Sequence, residues 1–259
     1  MQNSQNNKIN IEYSKFDSSL YQKQQPFSHI AIDELFDVDF INSLEKNYPG
    51  KDDITWWKYD NHFEKKLAFN HIDSLHPDFK KYFDLVNSRE FVKKIEEMTG
   101  ISNLIADPGL NAAGLHRIES GGKLDVHADY NYHKITGWRR RLNLITYLNK
   151  DWKEEYNGHT QFWNADMSEC VKSYLPIFNR TILFETDDHT YHGHPEPLKC
   201  PTTMARKSLA VYYYTFCEEV QDTEYRSTDY KRLPTEKTNP EIEKLRKQRR
   251  KGRLKDLTT

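Results

Sequence analysis

The segment Val126-His127-Ala128-Asp129 places an imidazole and a carboxylate two residues apart. In a strand, residues two apart point to the same face, so His127 and Asp129 can bind one metal ion together. A third ligand has to come from elsewhere. The downstream run Thr190-Tyr191-His192-Gly193-His194-Pro195, with His189 just before it, offers candidates. Two histidines and one carboxylate on one face of a metal leave the opposite face open, which suits non-haem iron(II) and oxygen. The pattern is weak on its own. The chain has 11 histidines, and any one of them can equally be a surface or core-satisfied side chain.

A second group strengthens the case. Arg206 follows in Arg206-Lys207-Ser208-Leu209-Ala210-Val211, where strand geometry puts Arg206 and Ser208 on one face. A guanidinium makes two parallel hydrogen bonds to a carboxylate. A dicarboxylate needs such an anchor at its far end while its keto-acid end chelates iron; the competing role for Arg206 is an ordinary surface ion pair. In Arg141-Leu142-Asn143-Leu144-Ile145-Thr146-Tyr147-Leu148, alternation separates Leu142, Leu144 and Leu148 from Asn143, Ile145 and Tyr147. The leucine face should pack on helices and the other should line a barrel interior. Buried Asn143 and Tyr147 there need polar partners, either a bound carboxylate or internal hydrogen bonds.

The elements that must hold these residues form two regions. Residues 1–20, rich in Asn, Gln and Ser, read as a flexible N-terminal arm, and 21–105 as a helical support region. A β-type run begins near Phe27-Ser28-His29-Ile30. Helical spacing of Phe40, Ile41, Leu44 and Tyr48 ends at Pro49-Gly50. A second helix covers about 76–86. A third covers about 88–99, with Ser88 as N-cap and Gly100 as its stop. Residues 106–220 become short β-like runs separated by turns, as in a sandwich, jelly roll or barrel. Residues 221–259 read as a polar, basic tail, in which Lys244, Arg246, Lys247, Arg249, Arg250, Lys251, Arg253 and Lys255 form either a solvated helix or a contact for an anionic partner.

Composition removes several classes. Hydrophobic content of 36% and aromatic content of 13% support a core. A formal net charge of −1 gives no global bias toward nucleic acid. Cys170, Cys200 and Cys217 form no CxxC pattern, so neither a disulfide framework nor a thiolate zinc site is expected, and a reducing, cytoplasmic setting fits. No signal peptide and no stretch of about 18 apolar residues is seen.

Residues 106–216 resemble the 2-oxoglutarate/iron(II) oxygenase superfamily, in its prolyl 4-hydroxylase-like branch. The resemblance is carried by Gly121-Gly122 before His127-Ala128-Asp129, by Tyr147-Leu148-Asn149-Lys150-Asp151-Trp152 with Gly158 beyond, by Asn179-Arg180-Thr181-Ile182-Leu183-Phe184, by Tyr191-His192-Gly193 and by Arg206-Lys207-Ser208, in the family's order. It implies a mainly β (α+β) fold, a double-stranded β-helix (jelly-roll, cupin-like) core supported by N-terminal helices. It implies iron ligands at His127, Asp129 and His192, and 2-oxoglutarate held by Arg206 with help from Tyr147, Ser208 and Asn143. O2 is the oxidant, and ascorbate often supports such enzymes by keeping iron reduced. His194 would then lie behind the metal ligand, face the substrate or be exposed; His116 faces either the pocket or a structural partner. Related halogenases lack the carboxylate at the position of Asp129, so its presence favours hydroxylation.

The implied function is hydroxylation of a C–H bond, the substrate being a protein prolyl residue or a small molecule. Three alternatives stay open: a nucleic-acid or other demethylase on the same core, reached through the basic tail; a non-catalytic cupin-like metal or ligand binder; and, more distantly, a zinc hydrolase. Arg206 and Tyr147 argue against the binder, since a metal store needs no dicarboxylate anchor. No membrane partner is expected, and oligomeric state is not legible.

Overall fold

Three helix predictions meet their helices with caps in place. The computed structural model describes residues 9–217 and 225–251. Its helices are α1 (Ser18–Lys23), α2 (Val38–Lys46), α3 (Pro77–Val86), α4 (Arg89–Thr99) and α5 (Pro240–Arg250). Asp37 caps α2 by accepting from the backbone N–H of Asp39 and Phe40, and the Ser88 hydroxyl accepts from Phe91 N–H at the start of α4. Gly100, at φ +77°, ends α4 in the left-handed conformation that glycine adopts without steric cost.

The strands are β1 (His29–Asp33), β2 (Trp57–Asp60), β3 (Glu64–Phe69), β4 (Ile105–Ala106), β5 (Gly114–Glu119), β6 (Lys123–Ala128), β7 (Arg139–Tyr147), β8 (Thr160–Trp163), β9 (Cys170–Tyr174), β10 (Arg180–Glu185), β11 (Tyr191–His194), β12 (Ala205–Thr215) and β13 (Asp229–Tyr230). Their hydrogen-bonded order is β1-β10-β7-β12-β5-β3-β6-β11-β8-β9, with β13 on β6, β2 on β3 and β4 on β12. Neighbours pair antiparallel and the order leaps along the chain, giving the jelly-roll core.

The alternation read in β7 holds. Leu142 and Leu144, with Leu148 just beyond the strand, join Phe79, Tyr82, Phe83, Phe91 and Ile95 in the core under α3 and α4. On the neighbouring β12, Leu209, Val211 and Tyr213 enter the same core, the Tyr213 hydroxyl donating to Val86 O. The opposite faces of β7 and β12 carry Tyr147, Arg206 and Ser208. Helices on one side of the sheet therefore leave its other side for chemistry.

Three stretches differ from the sequence reading. Residues 9–20 are not a loose arm: Phe16 meets Phe91 edge-on at 6.0 Å, Tyr13 lies nearby, and Asp17 caps α1. Residues 1–8 of that arm lie outside the described residues. The β2–β3 hairpin was not foreseen, because β3 alternates Glu64, Lys66 and Ala68 with Lys65, Leu67 and Phe69, and β2 is exposed throughout. No apolar stripe marks it. Residues 225–251 are folded rather than a tail, and residues 221–224 and 252–259 of that predicted tail lie outside the described residues. The Tyr230 ring of β13 stacks on Phe63 at 4.7 Å, and Arg246 of α5 is buried, pairing with Glu236 and Glu243. Among the described residues no helix is long and apolar enough to cross a membrane.

Candidate active site

Strands β6 and β11 pair with His192 opposite His127, and the two rings lie 4.5 Å apart. Asp129 follows the end of β6 by one residue. Its Oδ1 is 3.5 Å from His127 Nε2 and its Oδ2 is 3.4 Å from His192 Nε2. Ligand atoms of the three residues lie within 4.8 Å of one another, and this is the metal-capable cluster found among the described residues. His127 Nδ1 faces Asp125 O at 2.8 Å and His192 Nδ1 faces Thr190 O at 3.3 Å. A carbonyl only accepts, so each Nδ1 carries the proton and each Nε2 turns a lone pair to the shared point. The donor set thus fits a divalent first-row metal, with two neutral nitrogens and one carboxylate.

Burial is the largest influence on the Asp129 carboxyl and opposes its ionisation. Arg140, then His192 and His127, outweigh it and hold the group well below the usual carboxylate range. His192 is pushed down to about 4, chiefly by burial, with Asp129 partly opposing. It is therefore neutral at pH 7, the form a metal ligand needs.

Arg140 was missed by the sequence reading. Its guanidinium lies 3.0 Å from Asp129 Oδ2 and hydrogen-bonds Asn143 Oδ1 through Nε and Nη2. Its Cζ lies 3.5 Å from the Tyr212 ring centroid and 4.5 Å from that of Tyr130. Asn143 in turn donates from Nδ2 to Asp129 Oδ2 at 2.7 Å. Both polar atoms of Asn143 are thus committed to the carboxylate and its counter-ion. Asn143 thereby orients the Asp129 carboxylate. In sequence, Arg139-Arg140-Arg141 reads as a solvated charge run; only the burial of the middle residue separates it from its neighbours.

Arg206 is 6% exposed. Its Nε donates to Gly158 O at 2.8 Å, and its Nη2 donates to Thr160 Oγ1 at 3.0 Å and to the Tyr147 hydroxyl at 3.3 Å. Thr160 and Tyr147 also share a hydrogen bond of 2.5 Å. Every partner is neutral. Among the described residues no carboxylate pairs with Arg206, and burial lowers its pKa. An interior cation held by neutral groups fits the carboxylate of a bound acid. Ser208, two residues on, pairs in register with both Tyr147 and His116. Gly158, at φ +82°, belongs to this seat: a Cβ there would lie 2.6 Å from Leu198 Cδ2 and 3.2 Å from Arg206 Cδ.

A cavity of about 180 Å³ opens onto His127 and Asp129, walled among others by Lys66, His116, Tyr130, Tyr212 and Tyr230. Arg249 of α5 and Lys134 stand at this cavity too. Lys66 pairs with Glu64 at 3.1 Å, both on β3, and Tyr230 hydrogen-bonds Glu64. The sequence reading assigned none of these β3, β12 and C-terminal contributors to the pocket.

Residues 113–214 match the 2OG-Fe(II) oxygenase superfamily. None of the curated proteins matches the chain by sequence. Three solved structures share its fold. A Pseudomonas putida prolyl-4-hydroxylase superposes with a TM-score of 0.56 at 13% identity, over 77% of this chain and 99% of that one. A prolyl 4-hydroxylase from Phytophthora capsici gives 0.50 at 18% identity, over 78% and 64%. A Trichoplax adhaerens prolyl hydroxylase in complex with a hypoxia inducible factor peptide fragment gives 0.50 at 16% identity, over 76% and 88%. The matching segment, residues 113–214, holds His127, Asp129, His192 and Arg206 and lies within the jelly-roll core that these structures share.

Proposed function

We propose that this chain hydroxylates a C–H bond, using iron(II) held by His127, Asp129 and His192 and 2-oxoglutarate anchored by Arg206. The observation that carries the reading is the pairing of two incomplete sites in one barrel. One is a His-Asp-His donor set with both Nε2 lone pairs converging. The other is a buried guanidinium whose partners are all neutral. When bound, iron and 2-oxoglutarate supply the oxidising power: O2 gives one oxygen atom to the substrate and one to the succinate that forms as carbon dioxide leaves.

The chain's own residues then have defined tasks. Arg206, Tyr147 and Thr160 hold the distal carboxylate, with Ser208 on the same face. Arg140 and Asn143 fix the Asp129 carboxylate, so that it meets the metal without reorganising. Tyr130, Tyr212 and Tyr230 wall the substrate cavity and exclude bulk water. The likeness in fold to prolyl hydroxylases supports a prolyl residue as substrate, and a small molecule is the other candidate. Arg249 at the cavity brings the basic helix α5 to the site and favours, as a second reading, a methylated nucleic acid. Ascorbate should support turnover by keeping iron reduced. A reducing, cytosolic setting is supported by the thiols of Cys170 and Cys200, which form no disulfide among the described residues.

The test is anaerobic titration of the iron(II)-loaded protein with 2-oxoglutarate, watching for the weak visible charge-transfer band. A band that is absent from the His127→Ala and Arg206→Ala variants supports the site. No band with iron bound would favour a cupin-like binder. Succinate release across prolyl peptides, small metabolites and methylated oligonucleotides then sorts the substrates.

A further inference from the structure

His194 is 3% exposed, and among the described residues neither of its ring nitrogens has a hydrogen-bond partner. A buried polar atom left unsatisfied costs roughly 1–3 kcal/mol, so an apolar side chain would serve the fold better at this position. The local backbone shows where the ring goes. On β11, His192 pairs with His127 and His194 with Leu124, so Asp125 and Val126 of β6 lie opposite Gly193 alone. The extra residue belongs to β6, and β11 keeps its alternation, leaving His192 and His194 on the same face. Gly193 between them lies so close to β6 that a Cβ would sit 2.9 Å from Asp125 O, Leu124 O and Val126 Cα. The strand is therefore pinned with both imidazoles directed into the barrel. On its other side β11 pairs with β8, Gly193 opposite Gln161, so His194 falls beside Thr160, whose hydroxyl accepts from Arg206 Nη2. It thus stands in the interior shared by the metal ligands and the carboxylate anchor.

A carboxylate has about four acceptor positions on its two oxygens. The Arg206 fork and the Tyr147 hydroxyl do not use them all. An imidazole N–H directed into the same interior, beside the Thr160 partner of Arg206, can take another. We infer that His194 is a further donor, beside Arg206 and Tyr147, to the distal carboxylate of 2-oxoglutarate. This deepens the proposed function and rests on its assignment of Arg206 as the anchor. It makes the strand that carries a metal ligand also read the far end of the co-substrate.

The experiment uses the Mn(II)-loaded full chain, with 2-oxoglutarate and pyruvate as probes, followed by paramagnetic relaxation of water protons. Pyruvate keeps the chelating keto-acid end and lacks the distal carboxylate. His194→Phe should bind 2-oxoglutarate 10- to 100-fold more weakly, the loss of one hydrogen bond to a charged group. Its affinities for Mn(II) and for pyruvate should stay at the wild-type level, and His194→Gln should recover part of the 2-oxoglutarate affinity. Unchanged 2-oxoglutarate binding in His194→Phe would overturn the inference. So would parallel losses for 2-oxoglutarate and pyruvate, which mark a packing role. Should His194→Phe not fold, His194→Gln carries the same comparison, with a loss for 2-oxoglutarate alone as the supporting result and equal losses as the refuting one. A wild-type protein that binds pyruvate but gains nothing from the distal carboxylate overturns the Arg206 assignment as well, so the two failures are told apart.

Discussion

Replacing Arg206 by Met separates binding from stability, because the two effects have opposite signs. Without 2-oxoglutarate, the guanidinium is an interior cation with three neutral acceptors and, among the described residues, no carboxylate. Removing it leaves Gly158 O without its donor, a cost of about 1–3 kcal/mol. It also removes the desolvation penalty of a buried charge, several kcal/mol. Tyr147 and Thr160 still bond each other. The net for the ligand-free protein is neutral to stabilising, so Tm should hold or rise by a few degrees, at roughly 2–4 °C per kcal/mol for a chain of this size. In the wild type loaded with Mn(II), 2-oxoglutarate at about 100 times Kd adds about 2.7 kcal/mol, or roughly 5–10 °C. Arg206→Met should lose that increment while holding its ligand-free Tm. The assay is thermal unfolding by circular dichroism, with and without 2-oxoglutarate. A ligand-free Tm lowered by more than about 5 °C would show that Arg206 is part of the structural core, and a retained 2-oxoglutarate increment would show that the anchor lies elsewhere.

Two further outcomes test the surroundings of the site. Asn143→Ala should weaken metal binding about 10- to 100-fold, measured by chelator competition, because Asp129 loses its 2.7 Å donor; at saturating metal, 2-oxoglutarate affinity should be unchanged, and the reverse pattern would return Asn143 to a co-substrate role. His29, pushed down to about 4 by burial and by Lys172 against the opposing hydrogen bond to Phe27 O, should make the protein acid-sensitive. With the folded pKa below the unfolded value of about 6.5, its contribution is complete above that value and is lost as pH falls toward 4, by up to about 3 kcal/mol; urea midpoints at several pH values should show a shallower acid limb in His29→Gln, and an identical limb would place the acid sensitivity elsewhere.

Much of the site is local in sequence and was legible for that reason. His127 and Asp129 lie two apart at a strand end, and Arg206 and Ser208 two apart within one, so strand geometry alone puts each pair on one face. Capping residues announce a helix in the same local way, as at Ser88 and Gly100. The β2–β3 hairpin escaped because its buried face is charged, Glu64 and Lys66 pointing into the cavity where a core strand would show apolar residues. Residues 9–20 and 225–251 escaped because their polar composition hides a few anchors, Phe16, Tyr230 and Arg246, whose burial depends on partners far along the chain.

Local spacing therefore put His127 with Asp129 and Arg206 with Ser208 on shared strand faces and marked out α2, α3 and α4, because each depends only on neighbours within a strand or a helical turn. Tertiary structure decided what those residues can reach. It paired β6 with β11, so that His192 and not His189 stands opposite His127. It gave Arg140, one of three consecutive arginines, to Asp129, and committed Asn143 to the same carboxylate. It brought β3, β13 and α5 to the cavity mouth and left His194 buried without a partner. Those outcomes follow from the pairing of strands distant in sequence, a free energy that sums burial and hydrogen bonding over the whole barrel and that no local pattern encodes.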